Sequence, residues 1–257
     1  MASLQRSEVP VPAVRWFGDD TRWFGVPYCV VTFLGGPGSA RGNLALNPDN
    51  AVACVRSALD TLAKLHAMDW RGLTAAWGEP VALSAELSRW EDLLKRPMLE
   101  PSLVSASEPL SRRLRASLVD NGPVGCVHGD FQWTNFIFAG DRMRALLDWE
   151  LAFIGPTVLD LAWLCLFCDA KSWETKMLIP TSAPQPLEIV ALYEEISGRR
   201  IEPRLMGWFR ALAGYRFGAI TIFNLMLHRR GKRIDPAWET LALSLEPMFE
   251  RALELCP

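Results

Sequence analysis

Histidine is scarce in this chain: His66, His128 and His228 are the three in 257 residues. A metal-dependent hydrolase usually draws on more His or carboxylate ligands than any one stretch here supplies, so that chemistry is a weak candidate. Cysteine offers no substitute. The six cysteines, Cys29, Cys54, Cys126, Cys165, Cys168 and Cys256, are scattered through apolar surroundings. The lone CxxC of Cys165 and Cys168 sits in AWLCLFC with no second pair to complete a metal set, and its expected place is a buried helix face. An excess of charge of one sign is also missing: 27 basic side chains stand against 29 acidic ones, so no net field favours nucleic acid or an anionic membrane. The basic run at residues 228–233 reads as a solvated helix end and loop. No apolar signal core opens the chain in MASLQRSEVPVP. The most apolar window, residues 151–168, is broken by Pro156 and Asp160 and flanked by Asp148 and Glu150, so no membrane span is expected. A reducing cytoplasm is the expected compartment.

What is present is an ordinary globular balance, 50% hydrophobic and 22% charged, enough for one large or two modest domains. Residues 14–17 and 28–33 are β-rich runs separated by a polar, Gly-containing segment, which predicts two neighbouring strands. The second run ends at Leu34-Gly35-Gly36-Pro37-Gly38, a flexible tether or a place of close backbone approach to a ligand. From Asn50 the period changes. Val52, Val55, Leu59, Leu62 and Leu65 recur at helical spacing and mark one apolar helix face. Helical signals then cover residues 83–95, 109–119, 186–196, 204–227 and 236–255. The predicted architecture is a small strand-bearing N-terminal piece, a connector, and a mainly helical body.

The body is interrupted by one hairpin. Asn135-Phe136-Ile137-Phe138 and Met143-Arg144-Ala145-Leu146-Leu147 flank a turn at Gly140-Asp141. A symmetric fold about that turn is expected to set Asn135 opposite Asp148, bringing an amide oxygen and a carboxylate together at the open end of the ribbon. Those are hard oxygen donors of the kind Mg²⁺ takes, with water and phosphate completing the shell. Asp130, just upstream in a loop after His128-Gly129, adds a third oxygen group. Phosphoryl transfer uses such a set: a carboxylate to orient and deprotonate the attacking hydroxyl, and two ligands to hold the metal against nucleotide phosphates. Each residue alone says little, since Asp and Asn are common at turns and strand ends. The spacing of all three carries the argument.

His128-Gly129-Asp130, Asn135, the apolar hairpin and Leu147-Asp148-Trp149-Glu150 together resemble the catalytic segment of the aminoglycoside phosphotransferase-like family, relatives of protein kinases, whose version reads H-R-D-x-x-x-x-N and then D-F-G. Val9-Pro10-Val11-Pro12, residues 65–70 (LHAMDW) and residues 193–201 (YEEISGRRI) are similar to the bacterial and acyl-CoA-dehydrogenase-associated subgroup, so the resemblance spans nearly the whole chain. It implies a protein-kinase-like two-lobe α+β fold: residues 1–34 as an incomplete N-terminal β lobe ending in the hinge, and residues 35–257 as a helical C-terminal lobe. It implies ATP and Mg²⁺ as cofactors and a small-molecule hydroxyl as acceptor. Asp130 would be the catalytic base, and Asn135 and Asp148 the Mg²⁺ ligands. His128 and Asp160 would support the loop, Asp160 as a buried acceptor within Pro156-Thr157-Val158-Leu159-Asp160. Thr32, Phe33 and Leu34 would form the interlobe hinge, with the Thr32 carbonyl and Leu34 amide bonding adenine. Glu150 stands where kinases have Gly.

The family pattern opens with a phosphate-covering loop, a strand lysine and a helix glutamate. Lys64 and Lys95 are the lysines before residue 100, both in helical stretches past the hinge, so neither fits that place. The expectation is a chain lacking the N-terminal phosphate clamp, through a misassigned start or true truncation, with little or no kinase activity as written. A catalytically inactive nucleotide- or metabolite-binding protein is the alternative reading.

Overall fold

The computed structural model describes residues 1–35, 39–175, 179–180 and 182–257; Gly36, Pro37 and Gly38 of the glycine-rich connector lie outside them. Strands β1 (Val14–Gly18) and β2 (Tyr28–Val31) form where the β-rich runs predicted them, pairing antiparallel from Val14↔Val31 to Gly18↔Tyr28. Among the described residues they pair only with each other. Their aromatic side chains lack cover: Trp16 is 67% and Phe17 75% exposed. The residues before them behave differently. Leu4 and Val9 are buried in the main core, and the Leu146 N–H donates to the Pro10 carbonyl at 2.8 Å.

Further along, β3 (Ser39–Arg41) pairs antiparallel with the first strand of the central hairpin, from Ser39↔Ala139 to Arg41↔Ile137, to give a three-stranded sheet. Helix α1 (Gly42–Ala45) and helix α2 (Ala51–Ala67) follow. On α2, Val55, Leu59, Leu62 and Leu65 are fully buried as the period predicts, while Val52 is exposed although Ala51 beside it is buried, because it lies round the helix from the buried face. Burying each such side chain is worth about 1.5–3 kcal/mol against leaving it in water. Helix α3 (Thr74–Trp77) and helix α4 (Leu83–Leu94) come next.

Helix α5 (Pro101–Ala116) starts eight residues before the predicted 109. Pro101 occupies its first turn, where a missing N–H costs nothing, and Pro109 lies inside the helix on an exposed face, where water can satisfy the carbonyl it leaves free. Then come β4 (Val124–Val127), the hairpin strands β5 (Phe136–Ala139) and β6 (Arg142–Leu146), and β7 (Phe153–Pro156), which pairs antiparallel with β4. Helix α6 (Val158–Leu166) is buried on all sides and carries Cys165, with Cys168 just beyond it; both thiols are buried and free.

The body closes with α7 (Pro186–Ser197), the 27-residue α8 (Pro203–Arg229), α9 (Ala237–Ala242) and α10 (Leu245–Leu255). Helix α8 runs about 40 Å at 1.5 Å per residue and packs against α4, α5, α6, α9 and α10, making it the axis of the core. The single helix predicted over 236–255 is broken at Leu243 and Ser244. At this break the buried Ser244 hydroxyl accepts the Glu174 N–H at 3.1 Å. No helix among the described residues is long and apolar enough to cross a membrane.

Candidate active site

The loop after β4 is held from behind. Asp160, fully buried in the first turn of α6, accepts the His128 N–H at 2.7 Å on one carboxylate oxygen and the Gly129 N–H at 2.8 Å on the other. Gly129 has φ 83°, and a Cβ there would sit 2.2 Å from the Leu151 carbonyl oxygen, so this corner of the loop requires glycine. His66, closing α2, lies 3.3 Å from Asp160 through Nε2 and 2.7 Å from the Tyr193 hydroxyl through Nδ1. Nε2–H donating to Asp160 and Nδ1 accepting from Tyr193 is the tautomer that satisfies all three groups. Burial pushes the Tyr193 phenol up to about 12, which keeps it a donor.

His128 faces inward. Its Nε2 donates to the Leu147 carbonyl at 2.9 Å, and its Nδ1 accepts the Asp130 N–H at 3.2 Å. Burial lowers its pKa, so the neutral ring is the form that fits this bonding. Asp130 is thereby fixed at its backbone, and its side chain is gripped from two sides. Trp163 Nε1 donates to Oδ1 at 2.8 Å, and Asn135 Nδ2 donates to Oδ2 at 2.7 Å and to the Asp130 carbonyl at 2.9 Å. Burial raises the Asp130 carboxyl to about 6, outweighing the two side-chain donors that stabilise its charge.

The hairpin register differs from the symmetric expectation. Ala139 pairs with Arg142, an irregularity falls between Ile137 and Phe138, and Phe136 then pairs with Leu146. The slip moves Asn135 from opposite Leu146 to opposite Leu147, whose N–H donates to the Asn135 carbonyl at 2.8 Å, and the expected Asn135–Asp148 pairing falls one residue short. Asp148 is the non-glycine residue with positive φ among the described residues, at 60°, a conformation held by its neighbours. The Leu147 carbonyl is bonded to His128, and Trp149 Nε1 donates to the Leu146 carbonyl at 2.9 Å. The Asp148 side chain is exposed. With Asn135 Nδ2 engaged by Asp130, the amide Oδ1 points the other way and is the atom left for a cation.

Thr32, Phe33 and Leu34 line a cavity of about 410 Å³, together with Pro12, Arg41, Ile137 and Leu147. The Thr32 N–H is engaged by the Ala13 carbonyl at 2.9 Å, whereas the Thr32 carbonyl and the Leu34 N–H make no backbone bond among the described residues. Phe33 projects outward, 87% exposed. Leu147 joins the two halves: its side chain lines the cavity, its N–H binds Asn135 and its carbonyl binds His128.

Asp130, Asn135, His128 and Asp160 thus form one bonded network, with Asp148 tied to it through the Leu147 backbone. The α7 carboxylates Glu188, Glu194 and Glu195 are engaged away from this network. Glu188 caps α7, Glu194 pairs with Arg200 and Glu195 with Arg56. Trp163, Tyr193 and Arg216 escaped the sequence reading. Only Trp163 left a usable signal, three residues after Asp160 and so on the same side of one helix.

Comparison with known proteins agrees with this geometry. A family model described as "Phosphotransferase enzyme family" matches residues 1–194. Acyl-CoA dehydrogenase family member 11 of Mus musculus is 29% identical over 215 residues, covering 77% of this chain and 27% of that protein. The Homo sapiens protein of the same description is 29% identical over 273 residues, covering 96% of this chain and 33% of that protein. The chain therefore spans about a third or less of the length of the curated relatives it matches. Among solved structures, a candidate aminoglycoside phosphotransferase from Ralstonia eutropha superposes with a TM-score of 0.79 at 19% identity, covering 99% of this chain and 80% of that one. Aminoglycoside phosphotransferase APH(4)-Ia, in a ternary complex with AMP-PNP and hygromycin B, gives 0.63 at 13% identity over 95% of this chain and 77% of that one. These structural likenesses establish the protein-kinase-like α+β fold.

Proposed function

The chain belongs to the phosphotransferase enzyme family, and on that premise we propose that its site transfers the γ-phosphoryl group of ATP to a hydroxyl of a small molecule, with Mg²⁺. The observation that carries the reading is the convergence at Leu147 of the hinge-lined cavity and the Asp130–Asn135 network. A volume of about 410 Å³ lies within the range of small-ligand sites. In this reading the Thr32 carbonyl and Leu34 N–H hold adenine at the hinge, with Ile137 and Leu147 as its apolar floor. Residues 1–34 then act as the part of the nucleotide lobe present in the chain, and residues 35–257 as the lobe bearing the chemistry.

Asn135 Oδ1 and the Asp148 carboxylate fit Mg²⁺, being hard oxygen donors left free by the fold. When bound, Mg²⁺ supplies positive charge against the phosphate oxygens. The chain's own residues do the rest. Asp130 orients the acceptor hydroxyl and takes its proton as the hydroxyl oxygen bonds to the γ-phosphorus. The bond from that phosphorus to the β–γ bridging oxygen breaks, and its electron pair leaves with ADP. Trp163 and Asn135 keep the Asp130 carboxylate from rotating during the transfer, and Asp160 keeps the loop backbone in place.

The test is transfer of labelled γ-phosphate from ATP to a panel of small-molecule hydroxyl compounds, comparing wild type with Asp130→Asn. Transfer that depends on Asp130 supports the reading. Transfer that is indifferent to Asp130 sinks it.

A second reading, nucleotide binding without turnover, is favoured by the lysines. Lys64 pairs with Asp60 and Glu8, and Lys95 pairs with Asp92. Arg41, bonded through Nη1 to the Thr134 carbonyl, is the cation among the described residues lining the cavity. Binding of ATP with no transfer to any acceptor would select this second reading.

A further inference from the structure

Arg216, in the middle of α8, is fully buried, and none of its three guanidinium nitrogens has a hydrogen-bond partner. Its ion-pair contact is long, 3.8 Å to Glu86 Oε1 on α4. Two indoles sandwich the group instead, with its central carbon 4.9 Å from the ring centroid of Trp90 and 4.8 Å from that of Trp163. A cation taken out of water without hydrogen bonds is a costly choice for a core position, and an apolar side chain of similar volume would pack there more cheaply. The contacts show what the cation adds. Trp90 is anchored at its other end, Nε1 donating to Glu86 Oε1 at 2.7 Å. Trp163 is packed at its edge against Phe167 and Phe217, with ring centroids 5.8 and 5.9 Å away, and its Nε1 donates to Asp130 Oδ1 at 2.8 Å. A guanidinium against the indole face attracts the ring electrostatically and fixes its plane. It also polarises the ring toward itself, which makes the N–H a better donor.

We propose that Arg216 is a positioning residue: stacked between Trp90 and Trp163, it holds the Trp163 indole so that Nε1–H grips one oxygen of Asp130. Glu86 balances the buried charge. The catalytic consequence rests on the reading of Asp130 as the base; the mechanical consequence does not. Four elements meet in this arrangement: Glu86 and Trp90 come from α4, Trp163 from α6, Arg216 from α8 and Asp130 from the loop after β4. The aim of the Asp130 carboxylate is therefore set by the packing of the helical body.

The test reads hydrogen exchange at ¹⁵N-labelled tryptophan indoles in the whole chain. Trp208 is the internal control, because its buried Nε1–H is bonded to the Leu114 carbonyl at 3.1 Å and does not touch Arg216 in the arrangement above. Arg216→Met should speed exchange at Trp163 on the order of tenfold, with Trp208 changed less than about twofold. Arg216→Met combined with Glu86→Gln removes both buried charges together, leaves an acceptor for Trp90, and should show the same selective loss even where the single variant does not fold. Arg216→Lys, which keeps the cation, should recover most of the Trp163 protection. Equal acceleration at Trp163 and Trp208 would make Arg216 a general core residue and overturn the proposal, as would unchanged Trp163 protection in the double variant. Where γ-phosphoryl transfer is measurable, the double variant should lower kcat about tenfold with KM for ATP within about twofold, and Arg216→Lys should restore it. Absence of transfer in wild type would count against Asp130 as a base, while the exchange result would still decide the role of Arg216.

Discussion

The loop carrying Asp130 and the ribbon leading to the hinge are parts of one proposed site built to opposite standards. Asp160, His66 and Tyr193 brace the loop from behind, and Trp163 and Asn135 clamp its carboxylate from the sides. The β1–β2 ribbon is a two-stranded sheet whose Trp16 and Phe17 stand in water, and a two-stranded hairpin is marginal by itself. The demand for fixed geometry falls on the loop. In the proposed function Asp130, as base, must hold its angle to the reacting hydroxyl and is over-determined, whereas the proposed hinge presents backbone groups to a flat ring and tolerates looser support.

Breaking the tight side should have the largest effect. Asp130→Asn removes the proton acceptor but keeps the shape, and should lower phosphoryl transfer by about 10²- to 10⁴-fold with ATP binding little changed, as read by paired transfer and binding assays. Asp160→Ala comes next. It orphans the buried N–H groups of His128 and Gly129 and should lower unfolding stability by about 3 kcal/mol in denaturant titration.

Acidification gives a smaller effect with two opposing parts. His128 is buried neutral with a lowered pKa, so its contribution is present above the unfolded value near 6.5 and fades as pH falls below it. Asp130, raised to about 6, acts oppositely: its contribution is full below the unfolded value near 3.9 and is lost as pH rises through about 6. Without metal, His128→Gln should therefore lose less stability than wild type between pH 7 and 5, by up to about 1.4 kcal/mol per pH unit. Equal pH slopes would show that His128 does not carry the acid sensitivity.

The loose side should respond least. Trp16→Ser or Phe17→Ser should shift stability within about 0.5 kcal/mol, because exposed side chains have little burial to lose. A loss above about 2 kcal/mol would show that the ribbon is supported like the loop.

What the sequence made legible was mostly local. The hairpin, the His128-Gly129-Asp130 corner and the α2 face each depend on neighbours within one or two turns of chain, where period and turn chemistry speak. The register slip between Ile137 and Phe138 was hidden, because an irregularity of one residue leaves the apolar pattern of a short strand readable in either register. Positive φ at Asp148 was hidden for a related reason: the bonds that impose it run through Leu147 to His128, nineteen residues away. Contacts between separate elements were harder to see. Asp130 and Asp160 stood out through the motif they belong to, but their partners His66 and Trp163, and the Arg216–Trp90 contact, join distant elements through side chains that read singly as ordinary core. Helix boundaries failed at Ser244, which makes a tertiary bond, and where an exposed face absorbed a proline, at Pro109.

In the proposed function Asn135 and Asp148 present oxygen donors to a cation beside a nucleotide held at the hinge. Calorimetric titration of ATP into the chain, with and without Mg²⁺, for wild type and Asp148→Ala tests it directly. The prediction is that Mg²⁺ tightens ATP binding to wild type by about tenfold or more, and that Asp148→Ala removes this gain while ATP alone binds as before. Binding no tighter with Mg²⁺ than without it, or a Mg²⁺ effect that survives Asp148→Ala, would contradict the claim.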